Sequence, residues 1–198
     1  MTIKSDNTAL LISDFQIDFC SAEGIAAKLG RDISPILEML PRLKKFYRFI
    51  KREGIIVIFT QFIARKDISP QNMKINKNRA ERFRLCLLNS RGAKFYYLQP
   101  DEDMVIQKKY YDSFAETELK QFLKKKRIDT LLITGVRTEL GIDATAKRAV
   151  AEGLNVIILE DLTATNKENS VAHNQFLKVF DRYYGDVIPS EKVIEMLE

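Results

Sequence analysis

Polar side chains follow short apolar runs at three points of the chain, and a glycine-marked turn follows a fourth run. The three side chains are Asp14, Gln61 and Lys108, and the turn spans Gly135–Gly141. Apolar runs of this length are typical of strands buried on both faces, and the carboxyl ends of parallel strands meet at one edge of a sheet. A carboxylic acid and an ammonium group brought together there can transfer a proton and hold an anionic group. The sequence therefore predicts a site for acid–base chemistry at this edge.

The turn itself has the pattern of a strand followed by a helix. Leu131–Ile133 is an apolar run, Gly135 marks a sharp turn, and Thr138 stands where a helix N-cap belongs. Apolar residues then follow at helical spacing, at Leu140, Ala144 and Ala149. Backbone N–H groups at the start of a helix point at anions or oxyanions. We expect this turn to form part of the site.

Strand and helix patterns alternate along the whole chain. The predicted strands cover residues 8–14, 55–60, 104–107, 131–133, 154–159 and 186–188. Their apolar character favours an α/β fold with an open, mostly parallel, doubly wound sheet and helices on both faces, a Rossmann-like three-layer sandwich. No linker or repeat interrupts the pattern, so we expect a single domain over residues 1–198.

Helix starts are indicated by capping residues. Ser34 is predicted to cap a long helix, and the capping boxes Ser113–Glu116 and Thr165–Glu168 are each predicted to open another. Residues 62–103 are polar and basic, with a possible short helix around 79–88. So long a stretch without clear structure is typical of a lid or a binding loop.

The composition excludes several classes of partner. Hydrophobic residues make up 45% and charged residues 30% of the chain, and the net charge is +5. The basic residues lie at helix ends and on helix faces without interleaved aromatic residues, so we expect no nucleic-acid partner and instead attraction of a small anionic molecule. The sequence shows neither an apolar run of membrane-spanning length nor a signal peptide. We therefore expect no membrane association and a cytoplasmic location.

The chain contains two cysteines and one histidine, and their spacing predicts neither a metal site nor a cofactor. Cys20 and Cys86 are expected to be reduced thiols. Cys20 follows Asp14 and could act as a nucleophile, but nothing beside it has the character of a base. We interpret it as a buried structural thiol. His173 lies within a predicted helix and is expected to be a packing or surface residue.

Several segments in this order and spacing resemble the isochorismatase-like hydrolase superfamily, which has the cysteine hydrolase fold. They are Leu10–Phe19, Lys108 six residues before Phe114, and Gly135-Val136-x-Thr138 with Thr145-Ala146 seven residues further on. The resemblance implies catalytic roles for Asp14, Lys108 and Gly141. The spacing to Phe114 favours Lys108 over its neighbour Lys109. It also implies a cis peptide bond between Val136 and Arg137 and a homo-oligomeric assembly.

Most members of this superfamily hydrolyse amides with an Asp–Lys–Cys triad, and the resemblance places Gly141 at the position of the cysteine. Glycine offers no nucleophile, so the usual covalent route is unavailable. Isochorismatase proper is more similar, because it also has glycine there and a glutamine at the tip of the second strand, here Gln61. The resemblance thus implies cleavage of a vinyl ether in isochorismate or a related carboxylated substrate, with release of pyruvate. Asp14 would be the general acid, and no covalent intermediate would form.

Gln16, Phe19 and Gln61 are expected to bind the substrate by this resemblance, and Arg137 is a further candidate at a position where the chain departs from it. Arg137 replaces an aromatic residue of isochorismatase. Its guanidinium group could clamp a substrate carboxylate, or could pair with Asp161 or Glu139.

Two other functions stay open. The chain could be a non-catalytic member of the family that lost its nucleophile and binds a small anion. It could also be an amidohydrolase of the same superfamily, acting through Cys20.

Overall fold

The structure, a computed structural model, describes residues 3–65 and 84–197, and a parallel β-sheet lies at its centre. The strands of this part of the chain are β1 (Thr8–Ser13), β2 (Ile56–Phe62), β3 (Met104–Lys108), β4 (Thr130–Val136), β5 (Asn155–Ala164) and β6 (Asp186–Ile188). They form one sheet in the order β3-β2-β1-β4-β5-β6, and each neighbouring pair is parallel. The predicted open α/β sheet is confirmed.

Helices connect and cover the strands. They are α1 (Ile17–Cys20), α2 (Ile25–Lys28), α3 (Ser34–Arg52), α4 (Leu119–Lys125), α5 (Asp143–Ala151), α6 (Ser170–Tyr183) and α7 (Ser190–Met196). Short 3₁₀ helices cover Ser5–Asn7, Arg91–Ala93 and Lys167–Asn169, and a π-helical turn covers Thr138–Ile142. None of the helices that the structure describes is long and apolar enough to cross a membrane.

The side chains of β1 alternate between two hydrophobic clusters, one on each face of the sheet. Leu10 and Ile12 lie in the cluster that α1, α2, α3 and α7 cover. Ala9 and Leu11 lie in the cluster that α4, α5 and α6 cover. Both faces are therefore buried, which is the physical reason for the apolar strand sequences.

The strand order reverses between β1 and β4. Strands β1 to β3 extend in one direction from this point and β4 to β6 in the other, while the register pairs Ser13 with Gly135. Connections leaving two such neighbours diverge and open a crevice beyond their carboxyl ends. Asp14 and the Thr138–Ile142 turn follow these two strands, so both lie at the edge where the sequence predicts a site.

Three helix starts differ from the predictions, and at one of them a tertiary contact takes the predicted capping side chain. Helix α3 begins at Ser34 itself, whose N–H donates to Asp32 Oδ1 over 2.9 Å, and the hydrogen bonds from Ser34 lower the pKa of Asp32. The Ser113 hydroxyl instead bonds the Thr145 hydroxyl, and α4 begins only at Leu119. Helix α6 begins at Ser170, after the 3₁₀ turn, so Thr165–Glu168 is no helix start either.

The segment interpreted as a lid, residues 62–103, is described only in part. Residues 79–83, half of the short helix expected around 79–88, lie outside the described residues, and the described half forms turns and an isolated bridge at Leu87 in place of the expected helix. In the described portion, the carbonyl of Ala93 accepts hydrogen bonds from the side-chain amides of Gln16 and Gln61. These bonds attach the 3₁₀ helix at Arg91–Ala93 to the carboxyl edge of the sheet.

Gly135 lets β4 approach β1 at the reversal point, and its replacement should be costly. Its φ is +111°, and a Cβ added there would lie 2.3 Å from the Ser13 carbonyl oxygen. Gly153 has a φ of +87° but nothing within 4 Å of the same position, so it is a matched control. We expect Gly153→Ala to lower the unfolding free energy by about 1–2 kcal/mol. Gly135→Ala should lose roughly a further 1–3 kcal/mol from overpacking. Urea unfolding measures both, and equal losses would contradict the close approach.

Candidate active site

A buried ion pair between Asp14 and Lys108 forms the centre of the site. Lys108 Nζ lies 2.8 Å from Asp14 Oδ2, and the exposed fractions of the two side chains are 0% and 10%. Asp14 has a φ of +50°, which turns the chain sharply after β1. The hydroxyl of Thr60 donates to Asp14 Oδ1 over 2.7 Å and accepts from the Asp14 N–H over 3.1 Å. Strand β2 thus fixes the carboxylate, and β3 supplies its cation.

Lys108 is held from a second direction by the chain that follows β3. Its ammonium group donates to the Tyr111 carbonyl over 2.9 Å. Two residues later the N–H of Ser113 donates to the Thr145 hydroxyl on α5 over 3.1 Å. Lys109, by contrast, is partly exposed and pairs with Glu116. The structure therefore brings Lys108, and not Lys109, to Asp14.

Gly141 lies directly beside this ion pair. A Cβ added to Gly141 would be 3.1 Å from Asp14 Oδ2 and 3.3 Å from Lys108 Nζ. The residues proposed for catalysis, Asp14, Lys108 and Gly141, therefore meet at one point although they lie far apart in the sequence. Since glycine has no side chain, Asp14 Oδ2 and Lys108 Nζ are not covered by a side chain at position 141, and the turn can lie close to both.

The backbone between β4 and α5 differs from the predicted helix cap. The peptide bond between Val136 and Arg137 is cis, the geometry that the family resemblance implies. Thr138 starts the π-helical turn instead of capping α5, which begins at Asp143. The Thr138 hydroxyl lies 2.8 Å from His173 Nδ1. A hydrogen bond to α6 therefore takes the place of the expected N-cap.

Two glutamines proposed to bind substrate are engaged with the protein. The Gln16 amide is buried, donates to the carbonyls of Phe62 and Ala93 over 2.9 and 2.8 Å, and accepts from the Phe62 N–H. Gln61 donates to the Ala93 carbonyl and accepts from the Gln107 amide over 3.0 Å. In this arrangement Gln16 joins β2 to the 3₁₀ helix, while Gln61 remains partly exposed at the edge.

Asp18 is a buried carboxylate that the sequence analysis did not assign to the site. Its Oδ1 accepts from the Ile25 N–H over 3.1 Å and its Oδ2 from the Cys86 N–H over 2.7 Å. Gly92 lies against this carboxylate, since an added Cβ would come within 2.0 Å of Oδ2. Asp18 therefore joins α2 to the chain around Cys86. The neighbouring Phe19 packs against Phe62 with a centroid distance of 6.3 Å.

Arg137 pairs with Glu139, one of the two alternatives left open by the sequence. Arg137 Nη2 lies 3.0 Å from Glu139 Oε1, which also accepts from Asn169 Nδ2 over 3.1 Å. Asp161 accepts instead from the N–H and hydroxyl of Ser190. Binding of a substrate carboxylate by Arg137 stays a prediction.

Both thiols are poor nucleophiles in this structure. Cys20 and Cys86 have no solvent exposure, and burial raises the pKa of each well above its ordinary value. The thiolate is the reactive form of cysteine, so both are expected to be inert. No group of at least three His, Cys, Asp or Glu side chains placed to hold a metal ion occurs in the described ranges 3–65 and 84–197.

Thr60 and Thr145 hold parts of the candidate site, and the sequence analysis assigned neither of them a role in it. Each holds a part of the Asp14–Lys108 arrangement through its hydroxyl. The sequence offers only a weak signal for these two residues. Thr60 is a polar residue at the carboxyl end of an apolar strand, and Thr145 is a polar residue on the apolar face of a helix. Such a signal does not identify the hydrogen-bond partner, because the partner depends on the register of neighbouring strands.

The sequence from residue 8 to residue 192 matches the isochorismatase domain family. The chain belongs to this family. Ureidoacrylate amidohydrolase RutB of Yersinia enterocolitica is 28% identical over 171 residues, which is 79% of this chain and 74% of that protein. N-carbamoylsarcosine amidase of an Arthrobacter species is 32% identical over 98 residues, but the match covers only 50% of this chain and 36% of that protein. A match to the isochorismatase family protein YecD of Escherichia coli O157:H7, 34% identical, likewise covers 37% and 41%.

Solved structures of low sequence identity share the fold. A cysteine hydrolase from Pseudomonas syringae superimposes with a TM-score of 0.86 at 20% identity and covers 99% of this chain and 94% of its own. The pyrazinamidase of Pyrococcus horikoshii gives 0.74 at 23% identity and covers 92% and 99%. Members of this family are hydrolases, and two of the relatives, RutB and N-carbamoylsarcosine amidase, carry the names of amidohydrolases.

The burial of the ion pair predicts a large stability loss when its cation is removed. Lys108→Met would leave the Asp14 carboxylate buried without its partner, which costs about 3–5 kcal/mol in comparable sites. Lys192 pairs with Glu195 over a similar 2.9 Å, but both side chains are more than half exposed. Lys192→Met should therefore lose less than about 1 kcal/mol. Urea unfolding measures the free energy of unfolding of the two variants. Losses of similar size would contradict the prediction that burial makes the Asp14–Lys108 pair more important for stability than an exposed ion pair.

The partly buried His173 should make the stability of the folded protein depend on pH below neutrality. Burial lowers its pKa from the ordinary 6.5, and the nearby Glu139 partly opposes this effect. The neutral form is thus favoured on folding, so its contribution is complete above pH 6.5 and is lost as the pH falls through the lower pKa of the folded state. His173→Gln cannot titrate. Its melting temperature should fall less than that of the wild type between neutral pH and about pH 5. Parallel curves for the two proteins would contradict this assignment.

Proposed function

We propose that the protein is a hydrolase that cleaves a C–N bond in a small carbamoyl or ureido compound by direct attack of water. The observation that carries the proposal is the convergence of Asp14 Oδ2 and Lys108 Nζ over the bare Cα of Gly141. The amide-cleaving relatives support the choice of bond. The inert thiols and the glycine support water, rather than a cysteine, as the nucleophile.

Each residue has a defined part in this reaction. Asp14 accepts a proton from water as the water oxygen bonds to the carbonyl carbon. The ammonium group of Lys108 stabilises the negative charge that develops on the carbonyl oxygen. When the C–N bond breaks, Asp14 returns the proton to the leaving nitrogen, so the products are an acid and ammonia or an amine. Gly141 has no side chain that would cover these two charged groups, so the carbonyl group of the substrate is placed on this side of the ion pair.

Cleavage of a vinyl ether is the second candidate function, because it requires no nucleophilic side chain beside the ion pair. In that reaction Asp14 would protonate the enol carbon, and water would add to the resulting oxocarbenium ion before pyruvate departs. The two candidates share Asp14 and Lys108 but differ in products. The purified protein should therefore be incubated with ureidoacrylate, N-carbamoylsarcosine, nicotinamide and isochorismate. Ammonia release would support the first candidate, and pyruvate release would support the second.

Asp14→Asn tests the role common to both reactions. The variant keeps the shape of the side chain but cannot exchange a proton, so kcat should fall by at least about 10²–10⁴-fold while a substrate analogue still binds. Asp186 is an exposed aspartate on β6, and Asp186→Asn serves as the matched control that should keep full activity. Near-normal turnover by Asp14→Asn would contradict the proposed role of Asp14 in both reactions. Binding of these compounds to the wild type without any turnover would instead favour a non-catalytic protein.

The nature of the nucleophile can be tested separately. Because Cys20 and Cys86 are buried with raised pKa values, iodoacetamide should leave the folded enzyme active and should modify both thiols only after unfolding. Mass spectrometry of the treated protein measures the modification. Inactivation in proportion to labelling of Cys20 would show that the reaction uses a thiol after all.

A further inference from the structure

Ser13, the last residue of β1, has a buried hydroxyl without a protein partner. The residue has no solvent exposure, and its Oγ makes no hydrogen bond to any atom of the described chain. Leaving a buried polar group without a hydrogen bond costs about 1–3 kcal/mol. Alanine would avoid that cost, and the other hydroxyl of β1, that of Thr8, does have a protein partner, since it donates to the Lys4 carbonyl. The hydroxyl is therefore expected to meet a group that the folded protein takes up.

The position of Ser13 shows where that group would lie. A Cβ added to Gly141 would be 3.6 Å from Ser13 Oγ, and the other two nearest atoms are Asp14 Oδ2 and Lys108 Nζ. A hydroxyl, a carboxylate oxygen and an ammonium group thus surround the same bare Cα. Asp14 and Lys108 already share one hydrogen bond and have further protein partners. Ser13 contributes the polar atom whose hydrogen-bonding capacity is unused.

The backbone of Ser13 is held firmly enough to direct this hydroxyl. Ser13 pairs with Gly135 in the register of β1 and β4. The missing side chain of Gly135 lets the two backbones approach, since a Cβ there would lie 2.3 Å from the Ser13 oxygen and 2.7 Å from its nitrogen. A rigid strand end positions a small group more accurately than a loop does.

We propose that Ser13 Oγ and Asp14 Oδ2 together bind the water molecule that attacks the substrate. This inference rests on the proposed hydrolysis by water. The water donates one hydrogen to Asp14, which removes it as a proton, and the other to Ser13 Oγ. With both hydrogens fixed, an oxygen lone pair is aimed at the carbonyl carbon over Gly141. Ser13 forms no covalent bond and is chemically unchanged by the turnover, because Asp14 takes the proton and the water oxygen joins the product.

The first test does not depend on the substrate. Crystal structures of the wild type and of Ser13→Ala, without added ligand and at a resolution that shows ordered water, are compared around Gly141. We expect a water within hydrogen-bond distance of both Ser13 Oγ and Asp14 Oδ2 in the wild type, and its loss in Ser13→Ala with Asp14 and Lys108 unmoved. A wild-type structure without a water at Ser13 would overturn the proposal even if the protein is a hydrolase.

The second test is kinetic and uses whichever compound of the substrate panel is turned over. Ser13→Ala should lower kcat by roughly 10- to 100-fold with KM nearly unchanged, because a misplaced nucleophile affects the transition state and not substrate binding. Thr163→Val removes another buried hydroxyl, one that donates to the Leu159 carbonyl, and should leave kcat unchanged as the control. A raised KM with normal kcat would assign Ser13 to substrate binding, and mass spectrometry showing an acylated Ser13 would make it the nucleophile. Either result overturns the inference, and if no compound is turned over the crystallographic comparison decides it alone.

Discussion

The buried ion pair of Asp14 and Lys108 is the interaction on which the candidate site depends. Two charges withdrawn from water are tolerated only when their geometry is good and further hydrogen bonds satisfy them. The chain meets this requirement with the Thr60 hydroxyl on one side and the Tyr111 carbonyl on the other. The ion pair and these hydrogen bonds therefore connect β1, β2, β3 and the chain after β3 around the Asp14 carboxylate.

Glycines provide the space in which this arrangement can exist. At Gly135 the missing side chain lets β4 lie against the end of β1, which sets the direction of the chain at Asp14. At Gly141 it lets the π-helical turn lie against the ion pair, since a Cβ there would be only 3.1 Å from Asp14 Oδ2 and 3.3 Å from Lys108 Nζ. Both glycines therefore allow close approaches of the backbone around Asp14.

The sheet and the meeting of Asp14, Lys108 and Gly141 could be predicted from the sequence. Strands buried on both faces must be apolar, and polar residues at the ends of parallel strands must meet at one edge. The contacts of Gln16 and the true start of α4 could not be predicted, because hydrogen-bonding side chains bond to partners that the tertiary structure brings near. Ser113 illustrates this, since its hydroxyl fits a helix cap in sequence but bonds Thr145 in space. The catalytic roles themselves stay predictions.

The ion pair also has a consequence for how the sheet assembles. Strand β3 has only five residues and lies at the end of the strand order, paired with β2 so that Lys108 stands beside Phe62. In a strand, a shift of one residue turns each side chain to the opposite face. Such a slip would carry Lys108 away from Asp14 and leave two buried charges unmatched, whereas an apolar residue would tolerate it. Lys108 therefore helps to select the native register of this short edge strand, because a shifted register would be less stable than the native one.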